Sequence, residues 1–466
     1  MKRINYRILC LIAVVAMAAT SCKKEFLDRK PPNIIPFADA VATESDMASS
    51  LRGAYAGLRA GDYYGRSFPV FGDLVADNGY VHTTNTGRYI QFNTLLYNSG
   101  DGNISGFWNA AYSVILRCNN IINAPLNGGV NVAQYKGEAY AIRALAYFDL
   151  VRYFAKPYTD DPNALGVPLV LTYDPAAKPG RAKVSEVYAQ IISDLTAAYG
   201  MMTLYTNSTQ FSKYAARGLQ AKVYLYMNDK ANAKTAALDV INNGGFTLVT
   251  TSNFSTYWNG TLPRTDKLET LMEVSADAIA NNGFDGLPNI YSQAGYGDIV
   301  VSSDLNALFL PTDIRKQVLY PAGTHQGFPV VVVNKYPNVY GTEESDRKVL
   351  RLSEMYLIAA EASLPADEPG ARTYVNAITS RRNADPIVSS GAQLFEDIIT
   401  ERRKELAFEG DRFQDLNRLK RDIIRSPQYP NTALTLPYSN FRRLFPIPVG
   451  ETDANATIKP QQNPGY

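Results

Sequence analysis

One helix-forming segment restricts the possible folds of this chain more than any other feature. Residues 140–150 are apolar on nearly every side of a helix. Such a helix would expose apolar surface to water if it stood alone, so it is stable only when other helices surround it. The chain therefore has to provide partner helices, and its other periodic segments should pack around this one.

Apolar residues spaced three or four apart predict helices throughout the chain. Caps and stops support several ends, such as Ser185 before one helix and Gly244-Gly245 after another. The predicted helices are 44–60, 107–124, 132–155, 186–202, 215–227, 231–242, 350–364, 370–382, 395–409 and 412–421.

Three of these helices share a local pattern centred on a tyrosine. The pattern reads RALAYF around Tyr147, QAKVYL around Tyr224 and LSEMYL around Tyr356. Their partner helices also align, with AKTAA in 231–242 and ARTYV in 370–382. Recurring helix pairs with small residues at the crossing are typical of a tetratricopeptide-like array. The tyrosines lie much farther apart than the period of about 34 residues, so other segments are inserted between the pairs.

Two segments have the composition of long irregular insertions, 61–106 and 244–348. The second is rich in Gly, Asn, Ser, Thr and Tyr. It contains two predicted strands, 246–250 and 328–333, and predicted turns at 281–286 and 294–297. The predicted fold is mainly α, a helix-pair array that carries a large irregular insertion with short strands. Long insertions on a rigid scaffold usually hold the function.

The N-terminus has the layout of an export signal. Lys2, Arg3 and Arg7 precede an apolar run, 8–19, which is too short to span a bilayer. Small residues then lead to Cys22, as in a bacterial lipobox, although Ala19 stands where the usual pattern has Leu. We expect Cys22 to be lipidated. The alternative is an ordinary cleaved signal followed by an incidental cysteine.

Charge and residue usage exclude several functional classes. Once 1–21 is removed, acidic residues outnumber basic ones by one, so nothing predicts a nucleic-acid partner. His82 and His325 are the only histidines, and a common zinc site or a Ser-His-Asp triad is therefore not indicated. No Gly-rich phosphate loop occurs. We expect no cofactor, no metal and no enzymatic activity.

An acid-rich helix could suggest acid–base catalysis instead. Glu401, Glu405 and Glu409 are four residues apart and lie on one helical face, with further charges at Arg402, Arg403, Asp411, Arg412 and Asp415. So many carboxylates require cationic partners, for which we expect Arg351, Arg381 or Arg382. Paired in this way, they hold helices together rather than perform chemistry.

The most distinctive motifs lie in the C-terminal third. They are VLRLSEMYLIAAEA at 349–362, ERRKELAFEGDR at 401–412, DLNR at 415–418, LFPIP at 444–448 and QNPGY at 462–466. With Cys22, the FLD of 26–28 and the Phe107-Trp108 pair in the same order, this set closely resembles the SusD/RagB family of outer-membrane nutrient-binding lipoproteins.

The resemblance implies a helical fold with four tetratricopeptide-like units. It also implies a lipid-anchored protein at the outer membrane, facing the cell exterior, that binds glycans or other oligomers beside a TonB-dependent transporter of the SusC type. The expected organisation is a signal peptide at 1–21, a lipidated cysteine and tether at 22–36, and one domain at 37–466. That domain divides into the array at 37–243 and 349–425, the two insertions, and a C-terminal extension at 426–466.

Candidate ligand-binding residues come from the two insertions. Tyr257 and Trp258 form the densest aromatic pair of the large insertion and suit a platform for the C–H faces of sugars. The other candidates are Tyr291, Tyr296, Asp77, Asn78, Tyr80, Arg88 and Tyr97. Trp108 has apolar neighbours at helical spacing and is expected in the core instead.

Several functions remain open at this point. The first is a surface protein that binds glycan oligomers and delivers them to a transporter. The second is the same scaffold binding peptides or another non-sugar nutrient, because Tyr-rich surfaces also bind peptides. A protein-interaction scaffold and a secreted glycosidase are less favoured.

Overall fold

A computed structural model describes residues 41–339 and 345–466. The predicted signal peptide, 1–21, and the predicted lipidated cysteine and tether, 22–36, lie outside the described residues. The long helices are α1 Glu44–Leu58, α4 Gly102–Ile122, α5 Val130–Phe154, α6 Val184–Met201, α7 Lys213–Tyr226, α8 Lys230–Asn243, α13 Leu352–Ser363, α14 Glu368–Thr379 and α15 Gly391–Leu406. The shorter ones are α2 Ser67–Leu74, α3 Ile90–Asn93, α9 Phe254–Trp258, α10 Leu287–Tyr291, α11 Ser303–Ala307, α12 Ile314–Leu319, α16 Arg412–Arg418 and α17 Val449–Ala454.

The long helices form the predicted array of helix pairs. Each packs on the next along one continuous stack, in the order α1, α4, α5, α6, α7, α8, α13 and α14, and α15 covers the last pair. The stack contains four pairs, as the family resemblance implied. The chain leaves the stack between α8 and α13 to form the large insertion and then returns to it.

Small residues let the helices approach closely. Ala233, Ala236 and Ala237 are fully buried on α8. A Cβ on Gly218 of α7 would lie 3.2 Å from the Met355 sulfur of α13. The helix α5 is buried on all sides from residue 141 to its end, as its apolar sequence predicted.

Strands are few and short in the described part of the chain. They are β1 Gly79–Val81, β2 Thr270–Val274, β3 Ile299–Val301, β4 Ala322–His325, β5 Phe328–Val331, β6 Arg347–Arg351, β7 Ile423–Ile424 and β8 Thr435–Leu436. They pair antiparallel as β1 with β3, β2 with β6, β4 with β5, and β7 with β8. The strand predicted at 328–333 is β5. The strand predicted at 246–250 is wrong, because Thr247 makes only an isolated bridge to Leu268.

The acid-rich helix α15 is joined to the array and to the large insertion by buried ion pairs. The carboxylate of Glu405 lies 2.8 Å from Arg351, 2.8 Å from Arg382 and 3.0 Å from Arg315. Lys335 lies 2.5 Å from Glu409. Arg351 and Arg382 are therefore partners as expected.

Arg381 is not a partner of Glu405. Its guanidinium donates to the carbonyl of Ala377, which lies one turn earlier on helix α14. Arg315 and Lys335 were not expected, since they come from the insertion and lie far from α15 in sequence. The insertion thus shares buried charges with the array.

The first insertion is anchored where two glycines meet. A Cβ on Gly72 would lie 1.9 Å from the carbonyl oxygen of Gly410, so a side chain cannot be accommodated there. The neighbouring Asp73 carboxylate accepts the backbone N–H groups of Phe408 at 2.8 Å and Gly410 at 2.9 Å. These contacts fix helix α2 against the turn that follows α15.

Candidate functional site

The two insertions meet beside strands β1 and β3. Past the end of β1, the N–H of His82 donates to the carbonyl of Asp298 at 2.8 Å. The carboxylate of Asp298 in turn accepts the N–H of Thr86 at 3.1 Å and its hydroxyl proton. The loop 82–89 of the first insertion is therefore held firmly on the second.

This loop places Arg88 on the ring of Tyr296. The guanidinium carbon lies 3.6 Å from the ring centroid, and Nη2 donates to the phenolic oxygen at 2.7 Å. The carboxylate of Asp285 lies 3.5 Å from Arg88 and accepts from the Tyr296 hydroxyl at 3.3 Å. The ring of Phe284 meets Tyr296 edge-on at 4.7 Å and is 41% exposed. We call these four residues the Arg88 patch.

The Arg88 patch offers the groups that a hydroxyl-rich ligand needs. A guanidinium and a phenol can donate hydrogen bonds, and the carboxylate of Asp285 can accept them. An exposed aromatic ring can pack against apolar C–H surface. Because a cation, an anion and rings hold one another in place, the ligand would meet an ordered surface rather than free side chains.

A cleft of about 440 Å³ opens on the other side of the same loop. It runs between the first insertion and the C-terminal extension, with amides, hydroxyls and one exposed aliphatic side chain around it. Its lining residues are Val81, His82, Thr83, Asn85, Ile90, Asn93, Thr94, Pro427, Gln428, Tyr429, Pro430 and Asn431.

Two histidines connect this cleft to the hairpin of β4 and β5. The rings of His82 and His325 lie 5.0 Å apart, and the half-exposed Phe328 ring lies 5.6 Å from His82. His325 is buried and contacts the carbonyl of Thr84 at 2.6 Å and the amide oxygen of Gln293 at 2.8 Å. Burial and the nearby His325 lower the pKa of His82, which is therefore neutral at pH 7.

Of the sequence-predicted residues, the structure brings Arg88 and Tyr296 together on the surface, and it buries most of the others. Asp77 binds Arg412 through two contacts of 2.8 Å. Burial opposes ionisation of Asp77, but Arg412 and Arg403 outweigh it and hold its pKa at about 2. Asn78 donates to Asp73 at 2.6 Å. Both side chains are therefore engaged in contacts within the protein.

Three predicted tyrosines are also buried. Tyr97 stacks on Phe92 at 5.4 Å and donates its hydroxyl to the Arg442 carbonyl. Tyr291 stacks on Tyr336 at 5.9 Å and is 1% exposed. Tyr80 packs against Tyr429, below the cleft. Aromatic residues in these insertions serve mainly as core.

The expected aromatic platform at Tyr257 and Trp258 is wrong as an exposed surface. Both residues lie on helix α9 and are only 3% and 4% exposed. Lys335 and Arg351 lie over the indole ring, at 4.8 Å and 5.3 Å from its centroid. Trp108, in contrast, is buried as predicted and contacts Phe154 at 4.8 Å.

Sequence reasoning missed several groups of the candidate site. Phe284 and Asp285 lie in the run NNGFDG, which was interpreted only as a turn. Phe328 was assigned to a strand, with no prediction that its ring is exposed. The C-terminal side of the cleft, at Gln428 and Asn431, has no local signal, because the fold alone brings it to the first insertion.

Comparisons with known proteins identify the class to which this fold belongs. A family model described as "Starch-binding associating with outer membrane" matches residues 25–225, and a SusD family model matches residues 322–466. A SusD superfamily structure from Bacteroides thetaiotaomicron has a TM-score of 0.83 and 30% identity, and the match covers 91% of this chain and 100% of that one.

The chain belongs to the SusD family of carbohydrate-binding proteins associated with the outer membrane. It is 28% identical to SusD-like protein P2 of Formosa agariphila, over 99% of this chain and 100% of the relative. A SusD superfamily structure from Bacteroides vulgatus has a TM-score of 0.83 and 28% identity, with 91% of this chain and 99% of that one covered. Within residues 41–339 and 345–466, no helix has both the length and the apolarity of a membrane span.

Proposed function

We propose that this protein is a non-catalytic surface lipoprotein that binds glycan oligomers and delivers them to a TonB-dependent transporter of the SusC type. The observation that carries the proposal is the Arg88 patch, where both insertions of a SusD-family chain present an ordered cation, an anion and rings. The cleft beside loop 82–89 extends this surface and adds amide and hydroxyl groups that suit sugar hydroxyls.

The acid-rich helix supports a binding role over a hydrolytic one. A two-carboxylate hydrolase needs one carboxyl group that is protonated and one that is free to act. Glu405 and Glu409 are instead buried, and the pKa of each lies below its usual value because arginine and lysine partners outweigh the cost of burial. Carboxylates that are committed to cations in this way stabilise the fold.

Tyr296→Ala should weaken glycan binding about tenfold or more, because a stacked ring contributes on the order of 1–3 kcal/mol in comparable base-stacking sites. Arg88→Ala should have a similar effect, since it removes donors and frees the ring. Calorimetry with a panel of short neutral and acidic oligosaccharides and short peptides measures this effect.

Tyr199→Ala is the matched control for these variants. Tyr199 is also a part-buried tyrosine under a cation, with Lys213 at 4.5 Å, but it lies on α6 away from both insertions. It should bind the ligand as the wild type does. If all three variants bind equally well, the Arg88 patch is not the site. If only peptides bind, the ligand class is the non-sugar alternative.

Cys22→Ala should release the protein from the membrane fraction. Cys22 follows the small residues of the export signal, and several acyl chains on it would give firm anchoring. Cell fractionation and labelling with a fatty-acid probe measure the effect. Unchanged membrane retention, together with a wild-type protein that takes up no label, would contradict lipidation at this residue.

The proposed organisation follows from this anchor. Residues 1–21 are removed as a signal, 22–36 form the lipidated tether, and 37–466 form one domain facing the cell exterior. Antibody labelling of intact cells tests the orientation, and co-purification with the transporter tests the partnership.

A further inference from the structure

A second pocket is lined by residues that lie outside both insertions. It has a volume of about 260 Å³ and forms where the C-terminal extension packs on the residues after α5 and on α16. Its wall includes Lys156, Asn417, Tyr438, Phe441 and Arg443. We call it the C-terminal pocket. It shares no residue with the Arg88 patch or with the cleft.

Arg443 is a buried arginine whose hydrogen bonding is incomplete. It is 3% exposed, and its Nε donates to Asn417 at 2.7 Å while Nη1 donates to the carbonyls of Arg421 and Leu436. Its Nη2 has no hydrogen-bond partner. Among the described residues no carboxylate is paired with this guanidinium within 4 Å, and Asp422 and Asp77 act on its charge only from farther away.

Arg402 also has a buried nitrogen without a hydrogen-bond partner, but its charge is paired with two carboxylates. Arg181 and Arg425 also have only neutral partners, but every nitrogen of each guanidinium donates at least one hydrogen bond. Arg418 is paired with Glu361 and Asp415. Leaving buried donors unpaired is costly, and Arg443 is part of the pocket wall, where an anion would lie beside its guanidinium.

The charges around the pocket also favour an anion. Lys156 is exposed and has no ion-pair partner within the described ranges. The carboxylate of Asp160, also in the pocket wall, is already paired with Lys420 at 3.0 Å. Asp422 accepts the backbone N–H of Tyr438. Burial lowers the pKa of Arg443 to about 10, which leaves it cationic at neutral pH.

The aromatic side chains and the volume of the pocket suit a ligand with a single ring. Tyr438 and Phe441 contribute aromatic surface, and the guanidinium carbon of Arg443 lies 5.5 Å from the Tyr438 ring centroid. The volume is below the range of about 300–1,000 Å³ that is usual for drug-sized ligands. A small ring with an apolar C–H face and one carboxylate matches these features.

We propose that the C-terminal pocket binds a uronic acid residue, whose carboxylate is held by Arg443 and Lys156 and whose ring packs on Tyr438 and Phe441. This site is separate from the Arg88 patch and does not depend on the function proposed for it. It would give the protein a second contact with a glycan, selective for acidic sugars.

Calorimetric titration of the purified protein with galacturonate, its methyl ester and galactose tests the proposal. Galacturonate should bind, more weakly at high salt, and the two neutral sugars should not. Lys156→Met should weaken binding about tenfold. Lys178→Met removes another exposed lysine and should change nothing. Arg443→Gln should abolish binding. If Arg443→Gln does not fold, the result for Lys156→Met tests the proposal.

Three results would overturn the proposal. The first is equal binding of galactose and galacturonate. The second is wild-type binding by Lys156→Met and by a folded Arg443→Gln. The third is a preference for inorganic sulfate or for a dipeptide with a free carboxylate, which would assign the pocket to another anion.

Discussion

Glu405→Ala should lower the free energy of unfolding by about 3–5 kcal/mol, the usual cost of removing one partner from a buried ion pair. Glu405 is 2% exposed and contacts Arg315, Arg351 and Arg382. Of the three arginines, Arg382 loses the largest share of its carboxylate contacts. Both of its contacts below 3.5 Å with a carboxylate are to Glu405. The alanine leaves that guanidinium buried with Glu269 at 3.9 Å as its nearest carboxylate.

Glu396→Ala is the matched control on the same helix. Its carboxylate is 49% exposed and pairs with Arg421 at 2.6 Å. An exposed pair contributes only about 0–1 kcal/mol, so this variant should unfold almost as the wild type does. Chemical denaturation at pH 7 measures both variants. Adding Arg382→Met to Glu405→Ala should recover part of the loss, because it removes the stranded charge.

The pH dependence gives an independent check of the same network. Burial opposes ionisation of Glu405, yet Arg382, Arg351 and Arg315 hold its pKa well below the ordinary value. A carboxylate with a lowered folded-state pKa stabilises the fold at and above its ordinary pKa, and that stability is lost as the pH falls below it. Wild-type stability should therefore fall below about pH 4, and Glu405→Ala should show a shallower fall. This account would be contradicted if the free energy of unfolding fell equally steeply with pH in both proteins. It would also be contradicted if Glu405→Ala lost no more free energy of unfolding than Glu396→Ala.

The array was predictable because its signals are local. Small residues recur at helical spacing on α7, α8 and α13, and the segment 140–150 of α5 is apolar on nearly every side. The structure places these helices within a few residues of the predicted bounds. The polar network was only partly predictable. Arg315 and Glu405 are far apart in sequence, and a long-range ion pair has no period that a sequence reveals.

The insertions were harder to predict for the same physical reason. Arg88 and Tyr296 were each recognised as candidates, but their contact depends on the pairing of β1 with β3, which no local pattern specifies. Tyr257 and Trp258 were expected on the surface because irregular segments usually lie there. They are buried because Lys335 and Arg351 return from distant parts of the chain to cover them.

Trp258→Ala should therefore destabilise the protein by about 3–5 kcal/mol, the usual cost of removing a buried large aromatic side chain. The indole is 4% exposed, contacts Phe254 and Tyr257 on its own helix, and lies beneath Lys335 and Arg351. The substitution leaves a cavity, and it also removes the ring that faces two buried cations.

Trp258→Phe should recover much of this loss, since a phenyl ring fills part of the cavity and still faces the cations. Phe284→Ala is the matched control, because it removes an aromatic ring of the same insertion that is 41% exposed, and it should change stability by less than about 1 kcal/mol. Denaturation measures stability, and calorimetry at a temperature where every variant is folded measures glycan binding. A Trp258→Ala protein that unfolds early but keeps its affinity assigns this residue to the core that supports the insertion. A Trp258→Ala protein with normal stability and lost affinity would instead show that Trp258 belongs to the binding surface.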